Sequence, residues 1–216
     1  MLAPHPDDEA AGPGGTLALH RRQGDPVRVV VVSDGRNGDA ERRHDPRAYA
    51  ALRVAESRRG LAELGVEDAV FWGLPDGHVP SDADLAAAVA RAVAELASFR
   101  PDVVYLPWSQ EGHPDHVAVH QLGMQALAAA GFRGLCLGYE IWNALLPDVV
   151  VDIGPVIDRK AAAMRAHQSQ LELVRFDRSL LGLAEYRSLV HLQGKGHGEA
   201  FVILRGTWPD PADGAA

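Results

Sequence analysis

The chain has 216 residues, 47% hydrophobic and 23% charged, with a formal net charge of −8. That length suits one α/β domain with a sizeable core. The negative balance offers no basic field for nucleic acid or an anionic membrane. A lone cysteine, Cys136, leaves no intramolecular disulfide framework; set between Leu135 and Leu137, it reads as a buried strand thiol. No stretch approaches the roughly 20 apolar residues of a membrane span, and no basic leader precedes an apolar run. The expectation is a soluble cytoplasmic protein.

Taken in order, the chain opens on Ala3-Pro4-His5-Pro6-Asp7-Asp8-Glu9, one imidazole and three carboxylates in five residues. Only Met1-Leu2-Ala3 precede this loop, whereas a strand usually takes about five or six residues. The first strand is therefore expected to be a stub, or the chain shown to start late. A short helix over 16–22 should end near Gly24. Val27–Val32 is a continuous β-branched run, as in a strand buried on both faces of a parallel sheet. Pro46 opens a helix to about Leu64, stopped by Gly65. Ala69–Trp72 reads as a strand and 73–77 as a turn. Ser81 with Asp84 resembles a capping box before an amphipathic helix carrying Leu85, Val89, Ala92, Val93 and Leu96. A strand over 103–106 leads into Glu111-Gly112-His113-Pro114-Asp115-His116, followed by a helix over 117–130. Strands are expected at 135–139 and 149–153, a helix from Pro155 to about Leu173, and a last strand at 200–204. Residues 207–216 read as a frayed tail.

Strands alternate with helices, so the expected fold is a single-domain α/β structure over 1–206. Its sheet would be doubly wound, Rossmann-like and mostly parallel, with helices on both faces. Ligands of such sheets bind outside the carboxyl ends of the strands. Both His-Pro-Asp loops fall at that edge.

His and Asp are good ligands for a borderline divalent cation, and a catalytic site keeps a position for water. His5 and Asp8 can converge on one ion. A third ligand must come from elsewhere, with His116 the candidate; either it or His113 could bind while the other faces substrate. Asp7, beside Asp8, is placed to act as a base. A protonated His113, held by Asp115, would face a developing oxyanion. Taken singly, each motif has a bland reading as a loop or a solvated helix start; the pairing favours function. His20, His44, His78 and His191 have no partnered pattern. His120 suits packing, and Trp72, Trp108 and Trp142 suit either core packing or stacking on a sugar ring.

Pro4-His5-Pro6-Asp7-Asp8-Glu9 paired with His113-Pro114-Asp115-His116 resembles the PIG-L/LmbE-like N-acetylglucosaminyl deacetylases. The likeness continues through Arg53 with Glu56, Leu64-Gly65-Val66, residues 73–77, and Asp158 to Gln170 with Lys160, His167 and Ser169-Gln170. The resemblance implies His5, Asp8 and His116 as metal ligands, Asp7 as general base, His113 as stabiliser or acid, and Asp115 as its tuner. It implies that Arg53 holds substrate, although an i,i+3 surface pair with Glu56 explains Arg53 nearly as well. The C-terminal stretch departs from the family pattern: His197-Gly198-Glu199 stands where a Tyr-Ala-Glu type segment is expected, leaving His197 as a substrate-facing group or a loop residue.

The implied activity is removal of the acetyl group from an N-acetylglucosamine-type amino sugar or its conjugate, using Zn2+, with Fe2+ or another divalent ion also suited to the ligand set. The alternatives are an amidase acting on a non-sugar or thiol-conjugate amide and a non-catalytic sugar-binding relative. The expected partner is a small amino-sugar conjugate; homo-oligomerisation is left open.

Overall fold

A computed structural model describes residues 1–77 and 82–208. Ser81, His78 and most of the expected tail lie outside those residues.

Seven strands and eight α-helices occur among the described residues. Strand β1 (Leu2–Ala3) leads into the one-turn helix α1 (Asp8–Ala11) and then α2 (Gly14–Gln23). Strand β2 (Arg28–Ser33), α3 (Pro46–Leu64), β3 (Asp68–Leu74) and α4 (Asp82–Phe99) follow. The second half contains β4 (Val103–Pro107), α5 (Pro114–Ala129), β5 (Leu135–Tyr139) and β6 (Val149–Asp152). It closes with α6 (Ile157–Arg165), α7 (Gln168–Leu171), α8 (Phe176–His191) and β7 (Gly198–Arg205).

β1, β2 and β3 form a parallel sheet in the order β1-β2-β3, and the others form a second in the order β4-β5-β7-β6. β1 lies against β4, so the two sheets together read β3-β2-β1-β4-β5-β7-β6. β4 and β5 are parallel, while β7 runs antiparallel to both β5 and β6. The strand order reverses direction between β1 and β4, the switch point where doubly wound sheets open a crevice at their carboxyl ends. The His-Pro-Asp loops leave β1 and β4 there.

The helix α3 behaves as its sequence dictates. Asp45 caps it by accepting from the amides of Arg47 and Ala48, Pro46 occupies its first turn, and Gly65 ends it at φ +78°. Three expectations need correction. The helix α5 begins at Pro114, three residues early, because the His113 side chain caps it. The long helix expected from Pro155 is broken: His167 takes a non-helical conformation, and the chain restarts as α7. Sixteen residues of α8 were not expected at all, although Phe176, Leu180 and Ala184 recur every fourth residue and pack on the main core.

That core lies between the sheet and α2, α3, α6 and α8, with Leu17, Val29, Val31, Leu61, Tyr139 and Phe201 buried in it. A second cluster under α4 and α5 covers the other face. Cys136 is buried on β5, its thiol pushed up to about 12 by burial. No described helix is long and apolar enough to cross a membrane.

Candidate metal and catalytic site

The loop after β1 turns on Asp7, whose φ of 137° is a left-handed conformation that costs a side-chain-bearing residue about 1–3 kcal/mol. Two features hold it there. Its carbonyl accepts from the amides of Ala10 and Ala11 at 3.0 and 2.9 Å, starting α1. Its own amide donates to Glu9 Oε2 at 3.0 Å. Glu9 is fully buried; its Oε1 also accepts from Ser57 Oγ at 2.5 Å and faces His167 Nε2 at 3.5 Å. Burial pushes the Glu9 carboxyl up to about 8, against the pull of the Ser57 and Asp7 donors, and pushes His167 down to about 3. Both are neutral at pH 7, which suits a dry platform beneath the loop.

On that platform the loop delivers Asp8 to two imidazoles. Asp8 Oδ2 lies 3.3 Å from His5 Nδ1 and 3.3 Å from His116 Nε2, although the two histidines are 111 residues apart in the chain. Burial opposes ionisation of Asp8, but the flanking His116 and His5 hold its carboxyl well below the usual range. Each imidazole is backed by further carboxylates. His5 Nε2 faces Asp115 Oδ2 at 3.1 Å and Asp76 Oδ1 at 3.2 Å. His116 Nδ1 faces Glu111 Oε2 at 3.1 Å. Burial alone would lower both imidazoles; these carboxylates raise His5 well above its ordinary value and His116 to about 9. His113 completes a cluster of three rings, 4.8 Å from His5 and 5.3 Å from His116 between centroids.

This arrangement fits a divalent cation. Nε2 of the fully buried His116 ring, on the side of Asp8, has no aligned hydrogen-bond partner, and a metal would take up its lone pair. The outer nitrogens of His5 and His116 each meet a carboxylate, the arrangement that fixes tautomer and basicity in metal-ligating histidines. Two ligand sets overlap here: nitrogens of His5, His113 and His116 lie within 4.8 Å of one another, and Asp8 bridges His5 and His116. Oxygens of Asp76 and Asp115 form a second group with His5. His116→Ala should abolish stoichiometric metal uptake; a variant that keeps full metal content removes His116 from the ligand set.

Four expected roles need restating. Asp115 does not hold His113 by its carboxylate. That group crosses to His5 and also accepts from the Gly77 amide at 2.9 Å; it is the Asp115 amide that donates to His113 Nδ1, at 3.2 Å. His113 is therefore not an imidazolium at rest: Nδ1 is an acceptor, and burial together with nearby His5 and His116 lowers its pKa. The proton of the neutral ring sits on Nε2. Arg53 is neither a surface residue paired with Glu56 nor open to a ligand. It is 3% exposed, donates to Gly35 O (2.9 Å) and Pro6 O (2.6 Å), and pairs with Asp7 Oδ2 at 2.9 Å. Glu56 instead binds the amide and hydroxyl of Ser169. His197 lies beside Ile153 and Gly154 near the edge strand β6, its carbonyl accepting from the Ile153 amide at 2.8 Å.

Glu111 and Asp76 had no assigned role in the sequence reading. Both stand inside the motifs, and their placement between glycines, prolines and a histidine was the available signal. Glu111 also accepts from Trp108 Nε1 and from the amides of Ile141 and Trp142. One carboxylate thus joins His116 to the loop that carries Trp142. That indole is 59% exposed, 6.4 Å from the His113 ring and nearly parallel to it. Trp72, by contrast, is buried.

Residues 1–127 match the family described as PIG-L: GlcNAc-PI de-N-acetylase. The chain belongs to the PIG-L family. It is 32% identical to a 1D-myo-inositol 2-acetamido-2-deoxy-alpha-D-glucopyranoside deacetylase from Mycobacterium sp. (strain KMS), over 78% of this chain and 72% of that one. It is 29% identical to a diacetylchitobiose deacetylase from Thermococcus kodakarensis, over 78% and 68%. Among solved structures, the conserved protein TT1542 from Thermus thermophilus superposes with a TM-score of 0.81 at 26% identity, covering 97% of this chain and 95% of that one. The PIG-L match spans both paired loops, so the residues that form the cluster lie inside the matched region.

Proposed function

We propose that this protein is a metal-dependent hydrolase that removes the N-acetyl group from an N-acetylglucosamine-type sugar or its conjugate. The observation that carries the reading is Asp8 set 3.3 Å from two buried imidazoles, with a second carboxylate, Asp7, next to it in the chain. The named PIG-L relatives, deacetylases of amino-sugar compounds, support the substrate class.

His5, Asp8 and His116 would hold the cation, with zinc the first choice for two imidazoles and a carboxylate. When bound there, the cation polarises an amide carbonyl and makes a nearby water more acidic. Asp7 takes the proton. Burial raises its carboxyl to about 6 while Arg53 draws it down, leaving a group ionised at neutral pH yet basic enough to accept. Arg53 holds Oδ2 and so orients the carboxylate. His113 presents Nε2–H toward the same space and donates to the oxygen where negative charge develops. The proton held by Asp7 then passes to the leaving amine.

Trp142 supplies a flat, exposed apolar face next to His113, suited to the C–H face of a pyranose. The test is amine release from N-acetylglucosamine, its glycosides and non-sugar acetamides, on metal-stripped protein with and without Zn2+ or Fe2+. Metal-restored release from the sugars is the expected result. Release from the non-sugar amides alone would overturn the substrate class. In the same assay Trp142→Ala should raise KM for the sugars about tenfold with little change in kcat, and Trp142→Phe should recover most of it. An unchanged KM would remove Trp142 from the binding surface.

A further inference from the structure

Beside the His-Asp cluster lies a cavity of about 390 Å3, bounded by α4, α5 and the carboxyl-terminal residues of β2 and β3. Asp115 and Pro4 stand at its edge. The Asp115 carboxylate faces His5 Nε2 at 3.1 Å, and Pro4 is the residue before His5. One end of the cavity therefore adjoins the residues assigned to the cation. From Asp115 it follows one face of α5 through Ala118 and Val119 to Leu122, a run of ~10 Å along the helix.

Its walls are apolar. Val32 of β2 and Trp72 of β3 border it, and α4 contributes two small side chains, Ala87 and Ala88, where larger ones would fill the space. Ser33 also borders it, but Ser33 Oγ and Trp72 Nε1 are themselves buried, so both residues turn carbon toward the space. The charged groups stand at the border: Asp115 at the His5 end, and Asp84 and Arg91 on the exposed side of α4, with the Arg91 guanidinium over the Trp72 ring at 4.8 Å. A sugar buried here would leave its hydroxyls unpaired. An alkyl chain has no such groups and gains by leaving water.

The strand order says which part of a substrate reaches it. Across β3-β2-β1-β4-β5, the cavity lies at β3 and β2, the His-Asp cluster follows β1 and β4, and Trp142 follows β5. Cavity and Trp142 therefore flank the cluster from opposite sides. A trans amide likewise carries its nitrogen substituent and its acyl group on opposite sides of the C–N bond. With the sugar against Trp142 and the carbonyl at the cluster, the acyl group runs toward the cavity. We propose that this cavity is an acyl-chain site, and that the protein hydrolyses amino sugars N-acylated with straight chains of about six to eight carbons, matched to the ~10 Å run along α5, as well as the acetyl compounds. The inference rests on the hydrolase reading above, and the reaction is the same. Water adds to the acyl carbon, the C–N bond breaks, the acyl group leaves as the carboxylic acid, and the nitrogen takes a proton from that water and leaves as the amine.

The experiment measures amine release and binding for glucosamine carrying N-acetyl, N-butanoyl, N-hexanoyl and N-octanoyl groups. In the Zn2+-loaded protein, kcat/KM should rise about two- to fourfold for each added methylene until the cavity is full. On metal-stripped protein, calorimetry should give the same order in Kd, with a heat-capacity change that grows more negative with chain length. Ala87→Phe and Ala118→Leu, which narrow the cavity from α4 and from α5, should each remove most of the gain; Ala87 is exposed, so its replacement spares the core. Acetyl release with equal kcat/KM across the series would overturn the acyl site and leave the hydrolase reading standing. No release from any member would overturn the hydrolase reading, and Kd values independent of chain length would then overturn the acyl site as well. A gain that survives both variants would place the chain elsewhere, contrary to the proposal. So would a gain shown by the octyl glycoside of N-acetylglucosamine and not by N-octanoylglucosamine, which would assign the space to the aglycone.

Discussion

Replacing Asp7 by Asn should leave metal content unchanged and lower kcat by about 10²–10⁴-fold, the range associated with loss of a general acid–base group. The substitution suits the test. Asn tolerates a positive φ better than most residues, so the turn at Asp7 (φ 137°) can persist, and the amide–Glu9 bond is a backbone contact that the change does not touch. What disappears is the carboxylate that takes a proton. In the unaltered protein the rate should rise with pH as Asp7 ionises. Its carboxyl is active when deprotonated, and burial places its midpoint near 6; a cation beside it would draw that midpoint lower. The acid limb should accordingly fall at or below about pH 6 and vanish in Asp7→Asn. An Asn variant with the parent kcat, or with a depleted metal site, would sink the assignment of Asp7 as base.

The sequence made one part of this site legible and hid another for a physical reason. His5, Asp8 and His116 could be paired because a strand-loop-helix pattern recurs, and doubly wound sheets bring such loops to one edge. The placement followed from topology alone. Direction of side chains did not. Asp115 stands two residues from His113, and short spacing suggested contact, yet on the first turn of α5 its carboxylate points across to His5, 110 residues away. Arg53 read as substrate-facing through the family resemblance, or as a surface residue because Glu56 follows at helical spacing. Both are buried: one fixes Asp7 and the other fixes Ser169, partners that only the packed fold supplies. Helix α8 was missed for a different reason. Its apolar positions are diluted by charged residues, and Tyr186, Leu189 and Val190 are exposed on its outer side, which blurs the period.

Lys160 and His167 belong to the same lesson. They stood out in the sequence as part of a motif, and the structure gives each a buried structural partner, which leads to the largest expected effect on stability. Lys160 is 2% exposed and donates to the carbonyls of Ala11 and Gly12 at 3.0 and 2.6 Å and to Glu199 Oε1 at 2.6 Å. Glu199 in turn accepts from the Gly15 and Thr16 amides, both at 2.7 Å, and from the Thr16 hydroxyl at 2.6 Å. One ion pair thereby ties the end of α1, the start of α2, α6 and β7 together directly behind the His5–Asp8 loop. Glu199→Ala leaves a buried ammonium uncompensated and two helix amides unpaired. Loss of one member of such a pair costs about 3–5 kcal/mol, which corresponds to a fall in Tm of roughly 6–20 °C at this size. The double variant Lys160→Met with Glu199→Leu should be less damaged than Glu199→Ala, because the stranded charge is gone, yet weaker than the parent because the Gly15 and Thr16 amides still lack an acceptor. Thermal melts of the three chains decide the matter. A Glu199→Ala protein melting within about 2 °C of the parent would show that water reaches Lys160 and that the pair does not fasten the loop. A double variant worse than the single would show that the Lys160 bonds to the Ala11 and Gly12 carbonyls outweigh the cost of the stranded charge, since both variants lack the Glu199 acceptor.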